Sequence, residues 1–93
     1  MNKYRFYKYN IEFCLQQLNV IAYAAAIRAI PKELGISANT FHNYRKLLLT
    51  SKSDIPYITI RRLENIFKLE RGGLENFVLE FKDLTALLKE SQA

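Results

Sequence analysis

Apolar residues recur at intervals of three and four along most of this chain, interrupted by Pro31, Gly35, Pro56 and the pair Gly72 and Gly73. From Asn10, a suitable N-cap, the spacing of Ile11, Cys14, Leu15 and Leu18 predicts a first helix ending near Leu18. Asn19 and Val20 then connect it to an alanine-rich helix over residues 23–34. Proline inside a helix removes a hydrogen bond and crowds the preceding turn, so this helix is expected to bend at Pro31; two short helices are the alternative. A third helix is predicted from Ser37 to about Thr50, with Phe41, Tyr44 and Leu48 on one face. Asn39, Asn43, Lys46 and Thr50 fall on the opposite side, flanked by His42. Residues 51–56 read as a polar loop stopped by proline. A fourth helix over residues 59–69 buries Ile60, Leu63, Ile66 and Phe67. After the glycine break a fifth helix runs from Leu74 toward Glu90. The alternating aromatic and basic residues 4–9 suit a short strand, an arm or a first helical turn. The predicted class is all-α, about five helices in one domain over residues 1–93.

The joint between the second and third helices carries the most information. Gly35 can take the positive φ that follows a helix C-terminus without steric cost. Ser37, two residues on, can cap the next helix by accepting from the amide of Asn39 or Thr40. Leu34, Ile36 and Phe41 are apolar pegs between the two helices. A helix, a tight glycine turn and a second capped helix make a helix-turn-helix, whose second helix enters the DNA major groove.

Charge supports a polyanionic partner. The chain has 93 residues and a formal net charge of +5. Residues 1–62 hold ten basic and three acidic side chains, residues 63–93 four and six, so the positive charge belongs to the half with the turn. The lone cysteine, Cys14, lies between Phe13 and Leu15 and reads as a small core residue in a reducing compartment. The longest apolar run, residues 20–27, falls well short of the ~20 residues that span a bilayer, and the N-terminus lacks the apolar block of a signal peptide. A cytoplasmic protein is expected. His42 has no second histidine or nearby cysteine, which leaves no metal site. No cofactor, small-molecule substrate or catalytic grouping can be placed, so the chain is not expected to be an enzyme.

The order of parts resembles the lambda-repressor-like group, which includes Cro, the phage repressors and the XRE-type regulators. The resemblance rests on the Leu34-Gly35-Ile36-Ser37 turn, the helix after it, a proline-containing loop, the segment Leu63-Glu64-Asn65-Ile66-Phe67 and the later Leu74-Glu75-Asn76-Phe77. It spans about residues 10–78. The chain departs from the family in having Pro31 where alanine usually stands four residues before the glycine, and in a longer loop after the third helix, which Leu47, Leu48 and Leu49 prolong.

The resemblance implies base reading by Ala38, Asn39 and Asn43, with His42 beside them and Lys46 at a phosphate. An asparagine amide can bond adenine N7 and N6–H₂ together, a contact worth about 1–3 kcal/mol of discrimination. Ser37, Thr40, Lys52, Arg61 and Arg62 are further candidate phosphate contacts, adding affinity without sequence information. Leu74, Phe77, Phe81, Leu84 and Leu88 follow a coiled-coil-like spacing and are candidates for a homodimer interface, although the same face could pack on the domain itself. The reading is a homodimeric, sequence-specific transcriptional regulator of phage or mobile-element type that binds double-stranded DNA. The alternative is a protein-interaction module, such as a phage adaptor or an antitoxin, that keeps the fold without specific DNA binding.

Overall fold

A computed structural model of the chain describes residues 3–78 and 82–92. A single 3₁₀ turn, Lys3–Phe6, precedes five α-helices: α1 (Ile11–Gln16), α2 (Val20–Leu34), α3 (Ala38–Arg45), α4 (Tyr57–Ile66) and α5 (Leu84–Ser91). Two isolated antiparallel bridges, Tyr7 with Leu48 and Tyr9 with Glu75, are the extended pairings among the described residues. The class is all-α. Within the described residues no helix is long and apolar enough to cross a membrane.

Helices α1, α2 and α3 pack on one another, and α4 adds Ile60 and Leu63 to their shared core. Ile11, Leu15, Leu63 and Leu74 are wholly buried there, around Phe41, Tyr9, Ile30, Leu34 and Ile55. Cys14 is half-buried against this cluster, and burial raises its thiol pKa.

Helix α2 starts at Val20, three residues earlier than its apolar spacing suggests, because the Asn19 side chain accepts from the Ala22 amide at 2.8 Å and caps it. It continues through the buried Pro31 as one element. Its end is a Schellman turn. Gly35 sits at φ 70°, and the Gly35 and Ile36 amides donate to the Lys32 and Pro31 carbonyls at 3.2 and 3.0 Å. Ser37 then caps α3, accepting from the Thr40 amide at 2.9 Å.

The third helix stops at Arg45 instead of near Thr50. Residues 46–49 bond to the N-terminal segment: the Lys8 amide donates to the Leu47 carbonyl at 2.7 Å, and the Leu49 amide to the Phe6 carbonyl at 2.8 Å. Residues 4–9 are therefore part of the fold and not an arm. The Lys8 ammonium reinforces this, donating to the carbonyls of Ser51 and Ser53 at 3.0 and 2.8 Å.

The fifth helix is the largest departure. Residues 74–78 are not helical, and α5 begins ten residues after the expected start. Leu74 is wholly buried and its carbonyl accepts from the Asn10 amide at 2.8 Å. The Asn76 amide donates to the Lys8 carbonyl at 3.1 Å, and Phe77 packs edge-on to Tyr9 with ring centroids 5.8 Å apart. Leu74 and Phe77 thus belong to the core and are not dimer contacts; Phe81 lies outside the described residues. Leu84 and Leu88 stay exposed on α5, which buries no residue.

Candidate nucleic-acid interface

What fixes α3 is its inner side. Phe41 is 1% exposed in the core, Tyr44 packs half-buried beside it, and Arg45 is drawn inward by charge. One Arg45 nitrogen, Nη1, donates to Glu12 Oε2 at 3.2 Å and to Tyr23 Oη at 3.1 Å. Tyr23 Oη donates in turn to Glu12 Oε1 at 3.0 Å, as does the Gln16 amide at 3.1 Å. Burial pushes the Glu12 carboxyl upward, yet the bonds from Gln16 and Tyr23 and the charge of Arg45 outweigh it and hold the group below its ordinary value. This network joins α1, α2 and α3 and sets the rotation of α3 about its axis.

With Phe41, Tyr44 and Arg45 held inward, Ala38, Asn39, His42 and Asn43 are exposed. Helix α3 carries no acidic residue. His42 Nδ1 lies 3.0 Å from Arg45 Nη2. His42, Asn43 and Lys46 line a shallow groove of about 300 Å³ together with Leu47, Leu48, Thr50 and Ser51. Lys46 caps the end of α3 and its ammonium lies over the Tyr7 ring, 5.6 Å from the centroid. Ser37 and Thr40 bond each other through their hydroxyls at 2.9 Å.

The remaining cations divide. Lys52 is exposed in the loop between α3 and α4, and Arg62 is exposed on α4, sharing a recess with Glu33. Arg61 instead donates to the buried Glu64 Oε1 at 2.9 Å. It lines a separate pocket of about 240 Å³ that also holds Asp54, Glu64 and Glu75. A second guanidinium, Arg71, shares that pocket, and the pairing with Glu64 makes Arg61 less free than Arg62 to meet a phosphate. In the same pocket the Tyr9 hydroxyl donates to Asp54 Oδ1 at 2.6 Å. Burial first, then this bond, pushes its pKa well above that of an ordinary phenol. No group of three His, Cys, Asp or Glu side chains among the described residues could hold a metal ion.

Sequence reading missed Glu12 and Tyr23. The signal was present for Glu12, a lone acid between Ile11 and Leu15 on the apolar side of a short helix. Its partner stands 33 residues away, and no local spacing points to it. Comparison with protein-family models, curated proteins and solved structures finds no match to this chain.

Proposed function

We propose that α2, the Gly35 turn and α3 form a helix-turn-helix of lambda-repressor-like type, and that the chain is a sequence-specific DNA-binding transcriptional regulator. One observation carries this reading: α3 is held by its inner face so that Ala38, Asn39, His42 and Asn43 face outward on a helix with no carboxylate. Helices that read DNA place such side chains on base edges in the major groove. Lys46, Lys52 and Arg62, with the Ser37 and Thr40 hydroxyls, supply phosphate contacts around them. Much of the affinity then comes from counterion release and falls steeply with salt. Control of transcription in the cytoplasm of a phage host or of a cell carrying a mobile element suits this design, and no catalysis is assigned.

Leu84, Leu87 and Leu88, on one side of α5, supply the contact for a homodimer that reads two half-sites about 34 Å apart. Three leucines bury far less than the ~800 Å² per partner of a stable interface, so the dimer forms at high concentration or on the duplex.

A second reading has its own support. Val20 and Ile21 are 86% and 83% exposed at the start of α2, a surface suited to a protein partner. Under that reading the chain is an adaptor or antitoxin-like interaction module without specific DNA binding. A gel shift with random duplex at low and moderate salt separates the two, because the interaction module gives no shift at micromolar protein. Asn39→Ala with Asn43→Ala should then erase preference for a selected site while non-specific binding and helicity persist. Full preference in that double variant would refute the reading face.

A further inference from the structure

His42, exposed, and Arg45, buried, stand three residues apart on α3, with Arg45 Nη2 3.0 Å from His42 Nδ1. A guanidinium has donors and no acceptor, so Nδ1 accepts and carries no proton. The neutral ring therefore keeps its proton on Nε2. Arg45 is not free to turn away. Its other terminal nitrogen is held by Glu12 Oε2 and Tyr23 Oη, and Tyr23 is itself bonded to Glu12. The arginine is 9% exposed and its ring neighbour Phe41 closes over it, with the guanidinium carbon 5.5 Å from the Phe41 centroid. Among the described residues no protein group bonds His42 Nε2.

We propose that Arg45, anchored by Glu12 and Tyr23, is a positioning residue that makes His42 a one-way hydrogen-bond donor toward DNA. This rests on the DNA-binding reading above and adds a specificity to it. A donor selects a base edge that offers an acceptor, such as purine N7 with or without guanine O6. It rejects cytosine, whose major-groove edge offers only the N4–H₂ donor. Asn39 and Asn43 cannot impose that polarity, because an amide presents a donor and an acceptor together.

The chain has one histidine, so its ring nitrogens are unambiguous in ¹⁵N spectra. In the full chain without DNA at pH 8, Nε2 should be protonated and Nδ1 unprotonated and shifted as a hydrogen-bonded acceptor. A proton on Nδ1 overturns the inference whatever the chain binds. Arg45→Lys should retain part of the Nδ1 shift and Arg45→Met abolish it; a retained shift in Arg45→Met counts against the positioning role. Should Arg45→Met fail to fold, the unaltered chain and Tyr23→Phe, which loosens the anchor and weakens the shift, still decide the matter. Duplexes selected from a random pool should show one position per half-site that requires an acceptor-bearing base, with cytosine there binding roughly 2- to 12-fold more weakly, as expected for a single hydrogen bond. His42→Glu, an acceptor only, should move that position toward cytosine or adenine. Unchanged preference in His42→Glu overturns the inference while leaving DNA binding intact. A chain that binds no duplex while its ring is protonated on Nε2 overturns the DNA-binding reading, and the base selection with it.

Discussion

Arg45 and Glu12 hold opposite charges inside a small core, and burial makes their pairing costly to disturb. Removing one partner from a buried ion pair costs about 3–5 kcal/mol because the other charge stays unpaired, whereas replacing both with apolar groups can be neutral or better. Arg45 also leaves its Nε buried without a partner, which raises the cost of keeping it. Arg45→Met should therefore lower the unfolding free energy by several kcal/mol in urea titration, and adding Glu12→Leu should recover most of the loss. If the double variant is no better than the single one, the network does not couple the two residues. The carboxyl of Glu12 has a second consequence. Its folded pKa lies below its unfolded value of about 4.3, so its stabilisation is complete above that value and lost as pH falls through the folded one. The stability gap between the unaltered chain and Glu12→Gln should narrow as pH drops below about 4, measured by urea midpoints. Tyr9 acts at the other end. With its phenol raised by burial and by Asp54, its contribution is present below about 10 and declines as pH rises further.

Helix ends show what local sequence can and cannot specify. The α2 stop and the α3 start were legible, because Gly35 and Ser37 act on neighbours within five residues and their chemistry allows few alternatives. The end of α3 was not legible. Leu47, Leu48 and Leu49 continue a helical pattern, and only the bonds from Lys8 and to Phe6, some forty residues away, pull them out of it. The end of α4 hides a similar device. Lys68 sits at φ 58°, with its amide on the Asn65 carbonyl at 3.1 Å and the Leu69 amide on the Glu64 carbonyl at 2.8 Å, the same Schellman turn without the glycine. A non-glycine residue there costs roughly 1–2 kcal/mol. Lys68→Gly should accordingly raise the thermal midpoint, while Gly35→Ala should lower it by a comparable free energy. Nothing lies within 4 Å of a Cβ built at Gly35, so that loss reports backbone conformation alone. Equal effects of the same sign at the two sites would refute this account.

At the scale of the molecule, the described chain has a radius of gyration of 16.4 Å and extends 59 × 33 × 24 Å. A single globule of 93 residues would have a radius of about 12 Å. Helix α5 buries none of its residues, and its Asp83 cap and the Lys82–Glu90 ion pair are formed within residues 82–90. Spacing along the chain could not reveal this division. Leu74, Phe77, Phe81, Leu84 and Leu88 are three and four residues apart in the sequence whether they belong to one long helix or to a core-filling loop followed by a separate one. Burial distinguishes them, and it sets opposite expectations for the two pieces. Removing residues 83–93 should leave the unfolding free energy of the remainder, from urea titration, unchanged within about 0.5 kcal/mol, since no described residue of α5 is in the core. Leu74→Ala, which empties a fully buried site, should cost 2–5 kcal/mol. Under the proposed dimer the same truncation should abolish concentration-dependent mass in sedimentation equilibrium, and leave a single half-site bound with its preference intact. A truncated chain that is much less stable would mean that α5 packs on the core. One that is equally stable and still self-associates would move the dimer contact away from Leu84 and Leu88, with the exposed Val20 and Ile21 as the next surface to vary.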